Sequence, residues 1–492
     1  MSTWHPEPQP GWTGPRISRR GLLGAAAAGA LSTALSGCGL RTGSSPDTLN
    51  VLSLGDPFFY AVQSLLPEFE AQTGIKVSLE GPDYDTLNAR ATNSFLTGQT
   101  DIDVISPDSM WLSRFAENEW LLDLTDLVRR DAAEVDVADF VPSTLYSLSE
   151  WRGGLYTLPV AAYTSAVLYR PSVFAALGLQ PPPSVPDAGW TWDEYLRCVR
   201  AIDGTDVAGT RMHGTVVCGS GPQPVTHMYS QVAASKGARW FRRFPADTPW
   251  DFTPQFAGEQ SVASLQFWKD LFACSPPEAI NYLWFDAGTA FGAGNVGIFY
   301  HWTAYAYLVQ RTEYMGEVES AVVDDYALGV LPVQPGQQQV GNIGGYAFGI
   351  GARSEKQEQA WTFIKWATSK ETQRKMALLP MRQFADFARS SLYDDDELVA
   401  AYPYLPAQLA AMQQGDGKQV RPPVQNYTTL ETQIGRELNR MLGSDVPARE
   451  TADAIQRAAE QIMTDEQFVP FSGSSYADTQ QAMQDRLVAL SA

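Results

Sequence analysis

Cysteine is scarce, with four in 492 residues, too few for a disulfide-built scaffold. Histidine is equally rare. His5, His213, His227 and His301 are scattered and no two cysteines stand at CxxC spacing, so no metal site is expected. Positive charge is outnumbered, 35 Lys and Arg against 55 Asp and Glu, for a formal charge of −20. A chain of that sign lacks the basic surface that nucleic-acid phosphate requires. No apolar run of about 18 residues follows Leu40, which excludes a polytopic membrane protein. Internal repeats are absent too. What is present is ordinary globular composition, 44% hydrophobic and 18% charged, in a chain long enough for two to four domains at ~100–200 residues each.

The N-terminus reads as an address. A polar Pro/Gly-rich start leads to Arg16-Ile17-Ser18-Arg19-Arg20, then to a small-residue apolar run ending at Leu35. That order of basic, apolar and small residues is a secretory signal, and Arg19-Arg20 looks like its twin-arginine form. Leu35-Ser36-Gly37-Cys38 resembles a bacterial lipobox, which makes Cys38 the lipidated first residue of the mature chain. Residues 39–47 (GLRTGSSPD) form a small, polar tether. The chain is thus expected outside the cytoplasm, held at the cell membrane by acyl chains. Of the remaining cysteines, Cys198 reads as a buried small hydrophobe, and Cys218 with Cys274 is the one pair worth considering as a disulfide.

Beyond the tether the pattern alternates. Leu49–Leu54 reads as a strand, Phe59–Thr73 as a helix stopped by Gly74, Ile75–Leu79 as a strand, Leu87–Leu96 as a helix, Asp103–Ile105 as a strand and Trp111–Glu119 as a helix. Strand, helix, strand in this order implies a parallel sheet covered on both faces. Strands are expected at Tyr156–Val160, Ala166–Tyr169, Tyr326–Val333 and Gly341–Ile350, and a strand closing the stretch Phe291–Trp302. Thr191-Trp192-Asp193-Glu194 fits a capping box. Residues 203–260 show no clean period, and amphipathic helices follow from Ser354 onward.

Five segments, in order, resemble the extracellular solute-binding proteins of ABC importers, in the carbohydrate-binding family that includes maltose-binding protein. They are Thr73-Gly74-Ile75-Lys76-Val77; Asp101–Leu124; Gly154–Pro159 with Leu168-Tyr169-Arg170 and Thr191–Glu194; Gly294–Trp302; and Gly329–Pro332 with Gly344-Gly345 and Ala360–Thr368. Arg170 stands where the family usually has Asn, Ile298 replaces a Met, residues 203–260 have no counterpart, and beyond 375 only Pro422-Pro423 and a loose helical pattern agree. The resemblance implies an α/β, periplasmic-binding-protein-like fold: two α/β lobes joined by a multi-strand hinge. After a signal at 1–37 and a tether at 38–47, one lobe would hold 48–160 plus 330–367. The other would hold 164–328 plus 370–492, with crossings near Ala161–Tyr163, Leu328–Leu331 and Thr368–Lys370. The implied function is a monomeric, lipid-anchored receptor that captures a carbohydrate and delivers it to ABC permease subunits, without cofactor, metal or catalysis.

In parallel α/β sheets, ligands sit outside the carboxyl ends of strands. That rule points to Asp56 and Tyr60 after the first strand, Asp108, Ser109 and Trp111 after the third, and Tyr300 and Trp302 at the end of the 291–302 strand. Tyr163, where family members often present a ligand contact, and Gly344, Gly345 and Tyr346 near a crossing complete the set. Aromatics stack on a sugar's C–H face and carboxylates accept from its hydroxyls. Asp56 and Asp108 would serve equally as helix N-caps, Trp111 as core, Gly344-Gly345 as a bulge, and Trp284-Phe285-Asp286 as loop packing. Rival readings are a non-sugar solute (polyamine, peptide, phosphate ester) on the same scaffold and a secreted carbohydrate-active enzyme with two cleft carboxylates. No G-x-S-x-G or H-E-x-x-H motif supports the enzyme.

Overall fold

The computed structural model describes residues 48–464 except 186, 188, 245–250, 310–319, 337–339 and 380–383. The signal, Cys38 and the tether lie outside the described residues.

The first half follows its local pattern. β1 (Thr48–Leu52), α1 (Pro57–Thr73), β2 (Lys76–Glu80), α2 (Tyr84–Leu96), β3 (Val104–Ile105) and α3 (Ser109–Glu117) succeed one another. β1 lies parallel to β2 on one side and to β3 on the other. Pro57 sits in the first turn of α1, where a missing N–H costs nothing. Gly74 ends the helix in the left-handed conformation, φ 75°, its N–H on the Glu70 carbonyl.

The middle of the sheet departs from the local reading. Leu158–Tyr169 is one strand of 12 residues, β4, not two. It stays extended because both halves find partners. Residues 158–164 pair with β7 (Ile343–Ile350), and residues 165–169 pair with β5 (Ile298–Trp302) and, at their end, β6 (Ala327–Gly329), all antiparallel. β7 also pairs antiparallel with β3. The sheet order is β5-β4-β7-β3-β1-β2, with β6 on β4, so parallel pairing is confined to β1–β3. The strand expected over Tyr326–Val333 shortens to β6, because Val330 N–H bonds to the Pro183 carbonyl and Val333 N–H to the Trp190 carbonyl. Thr191 does cap the helix Trp192–Ile202, accepting from Glu194 N–H at 3.2 Å, but the Glu194 carboxylate turns to Arg197 instead of completing the box.

Helices cover this sheet in two groups. α4 (Pro142–Leu148) lies on β7 and β4; α7 (Gln357–Thr368) and α8 (Lys370–Ala377) lie on α1, and Lys375 pairs with Glu68 at 2.5 Å. α9 (Leu405–Gln413) lies on β4 and α4, and Ser391 donates to Asp139. The described part of residues 370–413 therefore packs with α1, α4 and β4. α5 (Pro222–Ser235), by contrast, packs on α10 (Tyr427–Ser444), which packs on α11 (Ala448–Thr464). The chain changes sides across 414–426.

Cys198, Cys218 and Cys274 are buried and free. The Cys218–Cys274 bond considered from the sequence does not form: Cys218 lies against Met228 of α5, and Cys274 closes α6 (Glu259–Phe272). No helix among the described residues is long and apolar enough to cross a membrane.

Gly345, opposite Ala162, has φ 138°, and a Cβ there would run into the Ala161 carbonyl oxygen. Gly345→Ala should cost about 3 kcal/mol in chemical denaturation; a loss within experimental error would show that the strand tolerates a side chain there.

Candidate functional site

The carboxyl ends of β1, β3 and β5 and the middle of β4 and β7 open onto one cavity of about 210 Å³. Each wall has a structural origin. Asp56 stands at the N-cap of α1 but its side chain makes no capping hydrogen bond, so the carboxyl is left to the cavity. Phe58, one turn-start later, stacks on Tyr346 at 5.0 Å and 17°. Asp108 does cap α3, accepting from Met110 N–H at 3.2 Å, and still lines the cavity. Tyr163 faces Gly344 across the β4–β7 pair and meets Trp302 edge-on at 5.2 Å. Trp302, the last residue of β5, packs against Trp284 at 5.9 Å.

Gly344, Gly345 and Tyr346 also line the cavity, so seven of the sequence-predicted residues meet there: Asp56, Asp108, Tyr163, Trp302 and these three. Four others do not. Tyr60 lies two residues past Phe58 on α1, about 200° round the helix, and packs on Phe59. Ser109 donates to Asp108 and faces the 417–423 segment. Trp111 is core, 1% exposed, beneath Tyr84 at 4.9 Å. Tyr300 shares a face with Trp302 but lies two residues deeper, about 7 Å back from the strand end, where its hydroxyl donates to the Met228 carbonyl at 2.8 Å.

The sequence reading missed Tyr84, Gln223, His227, Tyr305, Asp386 and Arg421, and placed Trp284 in loop packing. Tyr84 follows β2, so the strand-end rule would have found it. Gln223 and His227 come from α5, inside the stretch without a clean period, and Asp386 and Arg421 lie beyond 375, where the resemblance fades.

Arg421 organises the electrostatics. Buried at 7% exposure, it donates through Nε to Asn342 Oδ1 at 3.1 Å and through Nη2 to the Ile343 carbonyl. Its Nη1 lies 3.7 Å from Asp108 Oδ1, and its guanidinium lies 5.6 Å from the Trp302 ring centre. His227 Nε2 sits 2.6 Å from Glu431 Oε1 and 3.2 Å from Met110 Sδ. Burial, aided by Arg421, pushes the His227 imidazole well below its usual range, and burial with the Asp108 charge pushes Glu431 well above its own. Burial thus disfavours the charged form of each. Burial lifts Asp56 to about 7; burial and the Asp56 charge lift Asp386 to about 8. The Tyr84 hydroxyl and His227 Nδ1 are buried with no hydrogen-bond partner among the described residues, and both side chains line the cavity. Among those residues no group of three or more His, Cys, Asp or Glu could hold a metal ion.

Arg421→Met keeps the length and removes the charge, leaving Asp108 without its cation. Denaturant titration should show a loss of about 3 kcal/mol; an unchanged midpoint would mean that Arg421 does not hold this wall.

Residues 55–374 match the sequence pattern of the bacterial extracellular solute-binding proteins. A probable amino-acid ABC transporter periplasmic-binding protein of Sinorhizobium fredii is 24% identical over 82% of this chain and 86% of its own. The erythritol/L-threitol-binding protein of Mycolicibacterium smegmatis is 25% identical over 77% of this chain and 83% of its own. An ABC transporter solute-binding protein of Agrobacterium radiobacter K84, solved in complex with ribitol, superposes with a TM-score of 0.74 at 28% identity, over 85% of this chain and 99% of that one. With the match to the family pattern running through most of the chain and the fold shared over 85% of it, this protein belongs to the bacterial extracellular solute-binding protein family.

Proposed function

We propose that this chain captures a small polyhydroxylated solute, a sugar alcohol or a single sugar, between two closing lobes and delivers it to an ABC permease. One observation carries the reading: a single cavity joins flat aromatic faces (Trp302, Trp284, Tyr163) to three carboxyls (Asp56, Asp108, Asp386). Rings take the C–H faces and carboxylates take the hydroxyls. Size narrows the class. At about 210 Å³ the cavity is smaller than the ~300–1,000 Å³ of drug-sized sites. That suits a polyol or monosaccharide and not a sugar chain or peptide. Relatives named for erythritol and threitol, and one solved with ribitol, support this class.

In this reading the chain works as a monomer with one lobe on β1–β3 and the other on α5, α10 and α11. The crossings are the middle of β4, residues 340–343 and residues 414–426. The packing of 370–413 on α1 and α4 favours this last crossing over one at 368–370. The family acts outside the cytoplasm, and the Arg19-Arg20 signal and the Leu35–Cys38 lipobox support export and a lipid anchor on Cys38. A second reading has its own support: three carboxyls against one arginine would also suit a small amine.

Thermal unfolding against ribitol, erythritol, mannitol, glucose, maltotriose and putrescine tests the ligand. A polyol or monosaccharide at 100 times its dissociation constant should add about 2.7 kcal/mol, and Trp302→Ala should abolish the shift. A response to putrescine alone would overturn the polyol class, and a response to maltotriose alone the size argument. For the anchor, Cys38→Ser should move the protein from the membrane fraction into the soluble fraction and end palmitate labelling; an unlabelled wild-type chain would rule the lipid out.

A further inference from the structure

Two of the cavity's carboxyls have no cation. Asp56 makes no capping bond, and Asp386, 8% exposed, accepts only from Gln408 Nε2 at 3.3 Å. No lysine, arginine or histidine among the described residues forms an ion pair with either. The cavity's cation, Arg421, is committed to Asn342, Ile343 and Asp108. The other titratable groups of the cavity, Arg421 apart, are Tyr84, Asp108, Tyr163, His227, Tyr305 and Tyr346, and Tyr393 and Tyr404 lie near Asp386. Apart from His227, whose imidazole burial pushes well below its usual range, all are phenols or carboxyls.

Resting on the polyol reading, we propose that Asp56 and Asp386 act as a donor-selecting pair. In the empty cavity at neutral pH the pair retains a proton; the hydroxyls of a bound polyol displace it, so that capture releases a proton to solvent. The step balances. One carboxyl O–H bond breaks, its proton passes to buffer, and the negative charge stays on the carboxylate. The polyol keeps its own O–H bonds and donates them as hydrogen bonds. Burial holds the empty-state carboxyls at about 7 and about 8. Hydrogen bonds to the charged form lower those values in the complex. The bound state then binds fewer protons than the free state, and affinity rises with pH. The same pair refuses anions, because a sugar acid or phosphate would add charge where the cavity has no free cation.

Titration calorimetry of the full chain with ribitol in phosphate and in Tris at pH 7 tests this. The expected result is net proton release, a several-fold weaker affinity at pH 6 than at pH 8, and a reduction of both effects in Asp386→Asn. Ribitol binding with buffer-independent heat and a flat pH profile would overturn the pair. Should ribitol not bind at all, the ribitol-based reading fails and the unliganded protein decides. Folded-state values above the unfolded ~3.9 mean stability that is present at low pH and lost as pH rises through about 7 and 8. The wild-type melting temperature should therefore fall between pH 6 and pH 9 relative to Asp386→Asn, and parallel curves would overturn the proposal. Asp56→Asn replaces Asp386→Asn if the latter does not fold.

Discussion

Tyr163 and Gly344 face each other across β4 and β7, and the site depends on what that pairing leaves out. A Cβ on Gly344 would lie 2.5 Å from the Tyr163 ring and 3.0 Å from Trp302. The aromatic wall therefore fits only where its strand partner has no side chain. One residue on, Gly345 takes a backbone conformation that side chains avoid, and the register shifts between Tyr346 and Ala347. That irregularity sends the Tyr346 ring onto Phe58, which belongs to the helix after β1. Sheet continuity, the wall and the link to α1 thus share a few residues of one buried strand. A 12-residue β4, about 40 Å long, is what lets the sheet serve both groups of helices while keeping this contact at its middle.

The charges around the cavity are poorly balanced for an empty protein. Three carboxyls and one arginine line a space bounded by rings, and burial of unpaired carboxyls is expensive. Burial raises the Asp56 and Asp386 carboxyls toward their neutral forms, and Arg421 stands between Asp108 and the Ile343 carbonyl. The chain leaves the Tyr84 hydroxyl and His227 Nδ1 without partners among the described residues. Such unsatisfied groups lower stability, a cost of the kind that functional sites carry.

How much of this was legible in sequence follows from the range of each interaction. The strand–helix alternation up to α3 is local, and its elements fall within a few residues of their expected bounds. Asp56 and Asp108 were found because strand ends are local too, although no local signal says that Asp108 caps its helix and Asp56 does not. Tyr60 and Tyr300 show the limit of the rule: it selects a loop or strand end but carries no helical angle and no depth. The continuity of β4 was invisible, since Ala161–Ser165 alone give no strand pattern and only β7 and β5 hold them extended. His227, Asp386 and Arg421 reach the cavity through contacts between segments more than a hundred residues from β1, with no periodic or motif signature at their own positions.

Closure is the remaining step in the physics. In the two-lobe reading, two contacts cross the cavity directly: His227 Nε2 to Met110 Sδ at 3.2 Å, and Arg421 to Asp108 at 3.7 Å. The first joins an imidazole ring to a thioether, and the second is an ion pair between buried groups, longer than a hydrogen bond. Arg421's stronger bonds, to Asn342 and Ile343, stay within the crossing segments and do not oppose opening. The open–shut balance thus rests on these contacts together with the packing of α10 against α3. A ligand shifts such an equilibrium by its differential affinity for the two states, and only the shut state presents the carboxyls of one lobe and the indole faces of the other to the same molecule. A partner that reads the shut form then reads the presence of solute.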